Sequence, residues 1–255
     1  MSISGGDRGA TFPTRRPLYY FITDRKQAPP GALLGRAERL IRWGIDFIQV
    51  REKDLEDRDL LRLTTKIVRL ARGSGCRVLV NGRADVALAA GADGIHLPST
   101  GFRVEDVRIW APPRFLIGCS THSGAEARRA QAEGADYLLL GPVFATPSKA
   151  RMGSPLGLNA FATICRGLNV PVIGLGGISR ETVLPVLESG ACGVAAIRLF
   201  QSAGEFCARE PRALLPPPTW AQRGARAASD LIAGSQTTPP LSRCGSKRLC
   251  PSVGA

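Results

Sequence analysis

VNGRADVALAAGADGIHLPST, residues 80–100, holds the end of one apolar run and the whole of a second, and both stop abruptly. Val78-Leu79-Val80 ends in Asn81-Gly82-Arg83, and Gly94-Ile95-His96-Leu97 ends in Pro98-Ser99-Thr100. Between them lies a helix-like segment closed by Ala90-Gly91-Ala92-Asp93. Glycine just past a helix takes the left-handed conformation at little steric cost, so the apolar run after it reads as a new, buried strand. The same order of helix-like segment, glycine, small residue, aspartate and apolar run recurs at Trp43-Gly44-Ile45-Asp46-Phe47-Ile48 and Glu133-Gly134-Ala135-Asp136-Tyr137-Leu138. A fourth copy, Ser189-Gly190-Ala191-Cys192-Gly193-Val194, has cysteine in place of the aspartate.

Extended along the chain, this reading predicts strands near residues 17–23, 45–51, 77–81, 93–97, 115–119, 136–140, 171–175 and 192–197. Helical periodicity follows each, as in Leu60, Leu61, Leu63, Ile67, Val68 and Leu70. Near-continuous apolar strands joined by helical crossovers imply a parallel sheet covered by helices, and eight such units predict a single (β/α)8 TIM barrel over 17–215. A doubly wound open sheet is the alternative. Against it, Thr23-Asp24-Arg25 follows the first strand where a dinucleotide fold would carry G-x-G-x-x-G. Residues 1–16 read as a flexible leader. The Pro- and Ser-rich stretch 216–255 reads as a disordered or weakly structured basic tail, too poor in apolar periodicity to offset its ordering entropy, with a short eighth helix expected within 203–215.

The 255 residues are 44% hydrophobic, an ordinary share for a globular domain, and carry a net charge of +13. That charge suits an anionic small molecule; the arginines are scattered and no aromatic-plus-basic module suggests nucleic acid. No apolar run is long enough for a membrane helix, and the first residues lack the apolar centre of a secretory signal, so the expected location is cytoplasmic. Seven cysteines (Cys76, Cys119, Cys165, Cys192, Cys207, Cys244, Cys250) form no C-x-x-C pair, which points away from a disulfide framework or a zinc site. Whether the chain forms a homo-oligomer is left open by the sequence.

In a (β/α)8 barrel the chemistry sits at the C-terminal ends of the strands. The unusual polar residues fall there: Gln49, Arg51 and Lys53 after the second strand, Asn81 and Arg83 after the third, and His96 and Ser99 at the fourth. Ser120 and His122 follow the fifth, and Thr146, Ser148 and Lys149 the sixth. Gly176-Gly177 after the seventh strand, with Ala195 and Ala196 of the eighth, lets backbone N–H groups approach an anion, which predicts a phosphate site. Arg51 and Lys53 read as an anion clamp, against the blander reading of a solvated strand end with helix-capping acids at Asp54, Glu56 and Asp57. His122 is the acid/base candidate, while His96 reads as barrel lining. The long Gly/Pro-rich loop from Gly141 to Gly157 reads as a lid carrying Lys149.

Several of these segments, in order, resemble the thiamine phosphate synthase/TenI family: Tyr20-Phe21-Ile22-Thr23-Asp24, Gln49-Val50-Arg51-Glu52-Lys53, Gly118-Cys119-Ser120-Thr121-His122, Gly141-Pro142-Val143-Phe144, Thr146-Pro147-Ser148-Lys149, Gly157-Leu158 and Gly176-Gly177-Ile178. The resemblance spans roughly residues 17 to 200. It implies one of two reactions. The synthase couples hydroxymethylpyrimidine diphosphate to a thiazole phosphate and uses magnesium; the TenI branch aromatises a carboxythiazole phosphate by moving a proton, without a metal.

The synthase pattern implies Asn-Asp-Arg after the third strand and a second aspartate after the fourth. Here Asn81-Gly82-Arg83 and Pro98-Ser99-Thr100-Gly101 carry neither acid. Magnesium needs hard oxygen ligands, normally carboxylates beside substrate phosphate. The leading expectation is therefore a metal-independent tautomerase with no cofactor, in which His122 moves the proton, Gln49, Arg51, Lys53, Asn81, Ser120, Thr146, Ser148 and Lys149 bind substrate, and Gly176, Gly177, Ala195 and Ala196 hold its phosphate. The first alternative is a magnesium-using synthase, supported by Gln49-x-Arg51-x-Lys53 and Thr146-x-Ser148-Lys149. A second is a non-catalytic thiazole-phosphate-binding regulator with the basic tail as a contact region.

Overall fold

The computed structural model describes residues 17–146 and 154–200. The expected leader, the Ser148 and Lys149 part of the loop, the eighth helix, the tail, and Cys207, Cys244 and Cys250 all lie outside the described residues.

Eight strands form a closed parallel barrel in sequence order. They are β1 (Leu18–Ile22), β2 (Phe47–Val50), β3 (Arg77–Asn81), β4 (Gly94–Leu97), β5 (Leu116–Thr121), β6 (Tyr137–Leu140), β7 (Val172–Leu175) and β8 (Gly193–Ala196). β8 closes on β1 with Leu18 opposite Gly193 and Tyr20 opposite Ala195. Seven α-helices cover it among the described residues: α1 (Ala32–Trp43), α2 (Asp57–Ala71), α3 (Ala84–Ala90), α4 (Val104–Arg108), α5 (Gly124–Ala132), α6 (Gly157–Arg166) and α7 (Arg180–Glu188).

The strand alternation divides the apolar residues between two cores. Outward side chains such as Phe21, Ile48, Val80, Ile95, Ile117 and Leu138 pack beneath the helices. Leu18, Tyr20, Phe47, Leu79, Leu116, Tyr137 and Ile173 fill the barrel. Each fully buried side chain of this size contributes about 1.5–3 kcal/mol, so both cores stabilise the closed sheet. On α2 the buried face is Leu60, Thr64, Ile67, Val68 and Ala71, while Leu70 is 37% exposed. Helical rotation turns Leu70 outward and Thr64 inward, the Thr64 hydroxyl donating to the Leu60 carbonyl at 2.8 Å.

The repeated glycine-small-aspartate motif has two parts. Gly44, Gly91, Gly134 and Gly190 all have positive φ (92°, 67°, 91° and 100°), ending the preceding helices as their lack of Cβ allows. The aspartate then reaches back across the sheet to an amide of the preceding strand. Asp46 Oδ2 accepts from Tyr19 N at 2.9 Å, Asp93 Oδ2 from Val78 N at 2.8 Å, and Asp136 Oδ2 from Ile117 N at 2.7 Å. These carboxylates pair strand amides at the N-terminal end of the barrel, the end opposite the polar rim. In the fourth copy the Cys192 amide donates to the Val172 carbonyl at 2.8 Å and its carbonyl accepts from the Leu18 amide at 2.9 Å, the same backbone links that Asp46 and Asp93 make, without a carboxylate beside them.

Candidate active site

At the other end, alternation turns Gln49, Asn81, His96, Ser120, Leu139 and Leu175 inward, and these form the floor of a cavity of about 520 Å³. Arg51, Lys53, Ser99, His122 and Thr146 reach the same cavity from the loops after β2, β4, β5 and β6. An adjoining cavity of about 460 Å³ is lined by Gly176, Gly177, Ala195 and Ala196, and the two share Gln27, Thr146, Leu175, Gly176 and Ile197. Every expected site residue that the structure describes therefore stands at one mouth.

The chain beyond β7 is shaped for an anion. Gly176 and Gly177 have φ of 98° and 66°. A Cβ on Gly177 would meet Phe144 Cβ at 2.6 Å, so only glycine lets this turn pack on the β6 loop. Among the described residues, no protein acceptor takes the amides of Gly177 or Ile178. Ser179 caps α7, exchanging hydrogen bonds with Thr182, and the helix start lines the same cavity. Free amides beside a helix N-terminus attract phosphate.

Across the mouth, Arg51 and Lys53 have no carboxylate partner among the described residues, unlike most of their neighbours. Arg51 is anchored through its backbone, whose amide donates to Thr23 Oγ1 at 2.9 Å. Of the acids after β2, Asp57 stands in the first turn of α2, whereas Glu52 is buried and accepts from the Arg25 amide, and Asp54 pairs with Arg25 at 2.6 Å and Lys26 at 3.0 Å. Glu56 stands at the α2 N-cap without a side-chain bond. The capping reading of Asp54 and Glu56 thus fails, because local cations claim Asp54 and Glu56 makes no cap bond.

His122 follows β5, and Glu126, on the first turn of α5, fixes it twice: one carboxylate oxygen accepts from the His122 amide at 2.9 Å and lies 3.3 Å from Nδ1. With Nδ1 held, Nε2 is the nitrogen left for proton exchange. The helix-cap reading of this segment holds alongside it, since Ser123 Oγ accepts from Glu126 N at 3.2 Å. His96 is barrel lining, as expected, with its Nε2 2.8 Å from Ser120 Oγ. Burial pushes the neighbouring Cys119 thiol up to about 11, which leaves it protonated and unsuited as a nucleophile at neutral pH.

Arg83 does not join the mouth. It pairs with Asp57 and Asp85, whose hydrogen bonds raise its pKa further. Sequence reasoning overlooked Gln27, Leu175, Ile197, Arg198 and Glu126. Only Glu126 gave a usable sign, standing four residues after His122 on a helix.

The synthase likeness implies magnesium, and the donor set does not fit it. Asn81, Gly82, Pro98, Ser99 and Thr100 occupy the ends of β3 and β4, where carboxylates would be needed. Asp24 is the one carboxylate lining the cavity among the described residues, and it already accepts from Lys26 N at 3.2 Å and from Gln27 Nε2. No cluster of three His, Cys, Asp or Glu able to hold a metal occurs among the described residues.

A (β/α)8 barrel with a glycine turn and a helix start on one side of its mouth, and cations without a carboxylate partner among the described residues on the other, has the form of enzymes that act on small phosphorylated molecules. Comparison with known proteins narrows the class. The family described as thiamine monophosphate synthase matches residues 19–200. A putative thiamine-phosphate synthase of Geobacter sulfurreducens is 42% identical over 202 residues, 78% of this chain and 95% of that protein. A thiamine-phosphate synthase of Methanoculleus marisnigri is 44% identical over 189 residues, 74% of this chain and 90% of that protein. The solved thiamine phosphate pyrophosphorylase from Pyrococcus furiosus superimposes with a TM-score of 0.64 at 29% identity, covering 82% of this chain and 96% of that one. This chain belongs to the thiamine phosphate synthase/TenI family, a family of thiamine biosynthesis. The relatives' names go with the coupling reaction rather than with the tautomerisation that the Asn81-Gly82-Arg83 and Pro98-Ser99-Thr100 segments favour. No helix among the described residues is long and apolar enough to cross a membrane.

Proposed function

We propose that this chain couples a pyrimidine diphosphate to a thiazole phosphate, forming thiamine phosphate. The observation that carries this reading is the pair of anion-attracting poles on one mouth: unpaired Arg51 and Lys53 on one side, the Gly177 and Ile178 amides on the other. Coupling brings two phosphorylated molecules together and needs both poles, and the relatives' names point the same way. In the reaction the carbon–oxygen bond to diphosphate breaks with the electron pair leaving on oxygen, and the thiazole nitrogen supplies the pair for the new carbon–nitrogen bond. The glycine cradle holds the thiazole phosphate. Arg51 and Lys53 offset the charge on the departing diphosphate, and preorganised charge of this kind stabilises a transition state without reorganisation. Because the ends of β3 and β4 carry no carboxylate, these cations are the neutralising side chains that the described residues offer at this pole.

A second reading rests on a specific observation. The His122–Glu126 pair at a mouth with neutral residues after β3 and β4 favours metal-independent aromatisation of a carboxythiazole phosphate, with Nε2 of His122 as the proton-transfer atom. Purified protein incubated with each substrate set, with magnesium or with EDTA, separates the two. Thiamine phosphate from the two half-molecules supports coupling. Its absence at saturating substrate with magnesium present sinks that reading, and turnover of the carboxythiazole phosphate then establishes the second. Calorimetric binding of thiazole phosphate with no turnover of either set would mark the chain as a binding relative.

A further inference from the structure

The barrel interior holds a run of polar groups deeper than either reaction requires. Tyr20 and Tyr137 are fully buried, and Gln49 and His96 are each 1% exposed. Gln49 Nε2 lies 2.9 Å from Tyr20 Oη, which lies 3.0 Å from Tyr137 Oη. Tyr137 Oη is 3.1 Å from His96 Nδ1, and His96 Nε2 is 2.8 Å from Ser120 Oγ. Gly118 opposite Tyr137 makes the arrangement possible, since a Cβ there would occupy the space of the tyrosine ring. Both ends of the chain, Gln49 and Ser120, line the ligand cavity.

The donors and acceptors of this run order themselves in one direction. Burial holds both phenols well above their ordinary pKa, so each carries a single proton. An amide nitrogen only donates. Tyr20 accepts from Gln49, and because a buried hydroxyl proton left without an acceptor is costly, it gives its own to Tyr137, which in turn gives its proton to His96 Nδ1. An imidazole that accepts at Nδ1 is neutral and carries its proton on Nε2, from which it donates to Ser120 Oγ. The Ser120 proton is then left for the cavity. In a low-dielectric core an unpaired polar group is costly, so the links hold one another in this setting.

We infer that this one-directional chain fixes His96 as the Nε2–H tautomer and presents the Ser120 hydroxyl to the cavity as a donor, selecting ligands with a lone pair at that point, such as a heteroaromatic ring nitrogen or a carbonyl oxygen. Tyr20, Tyr137 and His96 are positioning residues that act through Ser120. The inference rests on this cavity being the ligand site of the reading above, and on neither choice of reaction.

Nitrogen-15 NMR of the histidine-labelled protein tests it directly. The chain has two histidines, so two sets of ring resonances appear, and a His122→Gln variant assigns them. The expected result is a neutral His96 protonated at Nε2 in the parent protein, with both tautomers populated in Tyr137→Phe. An Nδ1-protonated or doubly protonated His96 in the parent at neutral pH overturns the inference, with no variant required. Kinetics on whichever substrate set turns over supply a second readout. Ser120→Ala and Tyr137→Phe each lower kcat/KM by about tenfold. The double variant loses no more than Ser120→Ala alone, because both changes delete the same donor. Additive losses overturn the positioning role. A parent inactive on both substrate sets would count against the proposed function, while the tautomer of His96 read by NMR would still decide the inference.

Discussion

Replacing Asp46 by alanine tests the physical meaning of the repeated glycine-small-aspartate motif. Asp46 is 4% exposed, and its Oδ2 accepts from the amide of Tyr19, a residue that is itself 5% exposed. The alanine variant removes that acceptor at a place solvent hardly reaches. A buried donor stripped of its acceptor costs about 1–3 kcal/mol. For a domain of this size each kcal/mol moves the midpoint by about 2–4 °C, so the expected fall in Tm is about 2–12 °C. Asp46→Asn keeps an oxygen at the same place and should recover most of the loss, since it changes a charge-assisted hydrogen bond into a neutral one rather than deleting it. Thermal unfolding of the three proteins followed by circular dichroism makes the comparison. An Asp46→Ala midpoint within about 1 °C of the parent would show that the carboxylate is not pairing the amide in any way that matters.

At the mouth, Arg51→Met and Lys53→Met should each weaken binding of inorganic diphosphate about 10- to 100-fold at low salt, measured by calorimetry, and unchanged binding refutes the anion clamp. If the second reading is correct, His122→Ala should slow isomerisation of carboxythiazole phosphate by about 10²- to 10⁴-fold, and a variant as fast as the parent ends that reading. The hydrogen bonds from Arg25 and Lys26 depress Asp54, and the hydrogen bond from Arg83 depresses Asp57. A carboxylate lowered in the folded state stabilises it above the unfolded pKa near 4 and loses that contribution as pH falls through the folded value, so Asp54→Asn should flatten the acid limb of a stability-versus-pH curve; an unchanged limb refutes it. With its pKa raised to about 11, the Cys119 thiol should react with iodoacetamide at pH 8 more slowly than a free thiol, as peptide mapping of the labelled protein would show; labelling at the rate of free cysteine refutes the burial argument.

What the sequence determined by itself was the architecture and the place of the chemistry. The glycine-small-aspartate repeat marks where helix gives way to strand, because glycine's freedom at positive φ and the return to an apolar run are local properties of the chain. Eight strand positions follow from that repeat and the apolar runs, and the polar residues after them mark one rim, because parallel strands in a barrel all end at the same face. The clustering of Gln49, Arg51, Lys53, Asn81, Ser120, His122 and Thr146 was legible for this reason. Only the tertiary structure decided what each polar group pairs with. Arg51 and Arg83 look alike in sequence, yet Arg83 is taken up by Asp57 and Asp85 while Arg51 lines the mouth with no carboxylate partner among the described residues. Tyr20 and Tyr137 stand 117 residues apart and read as core aromatics; barrel closure brings their hydroxyls to 3.0 Å and joins Gln49 to Ser120 through His96. Hydrogen bonds and ion pairs act over a few ångströms, and a linear sequence carries no such distances until the sheet has closed.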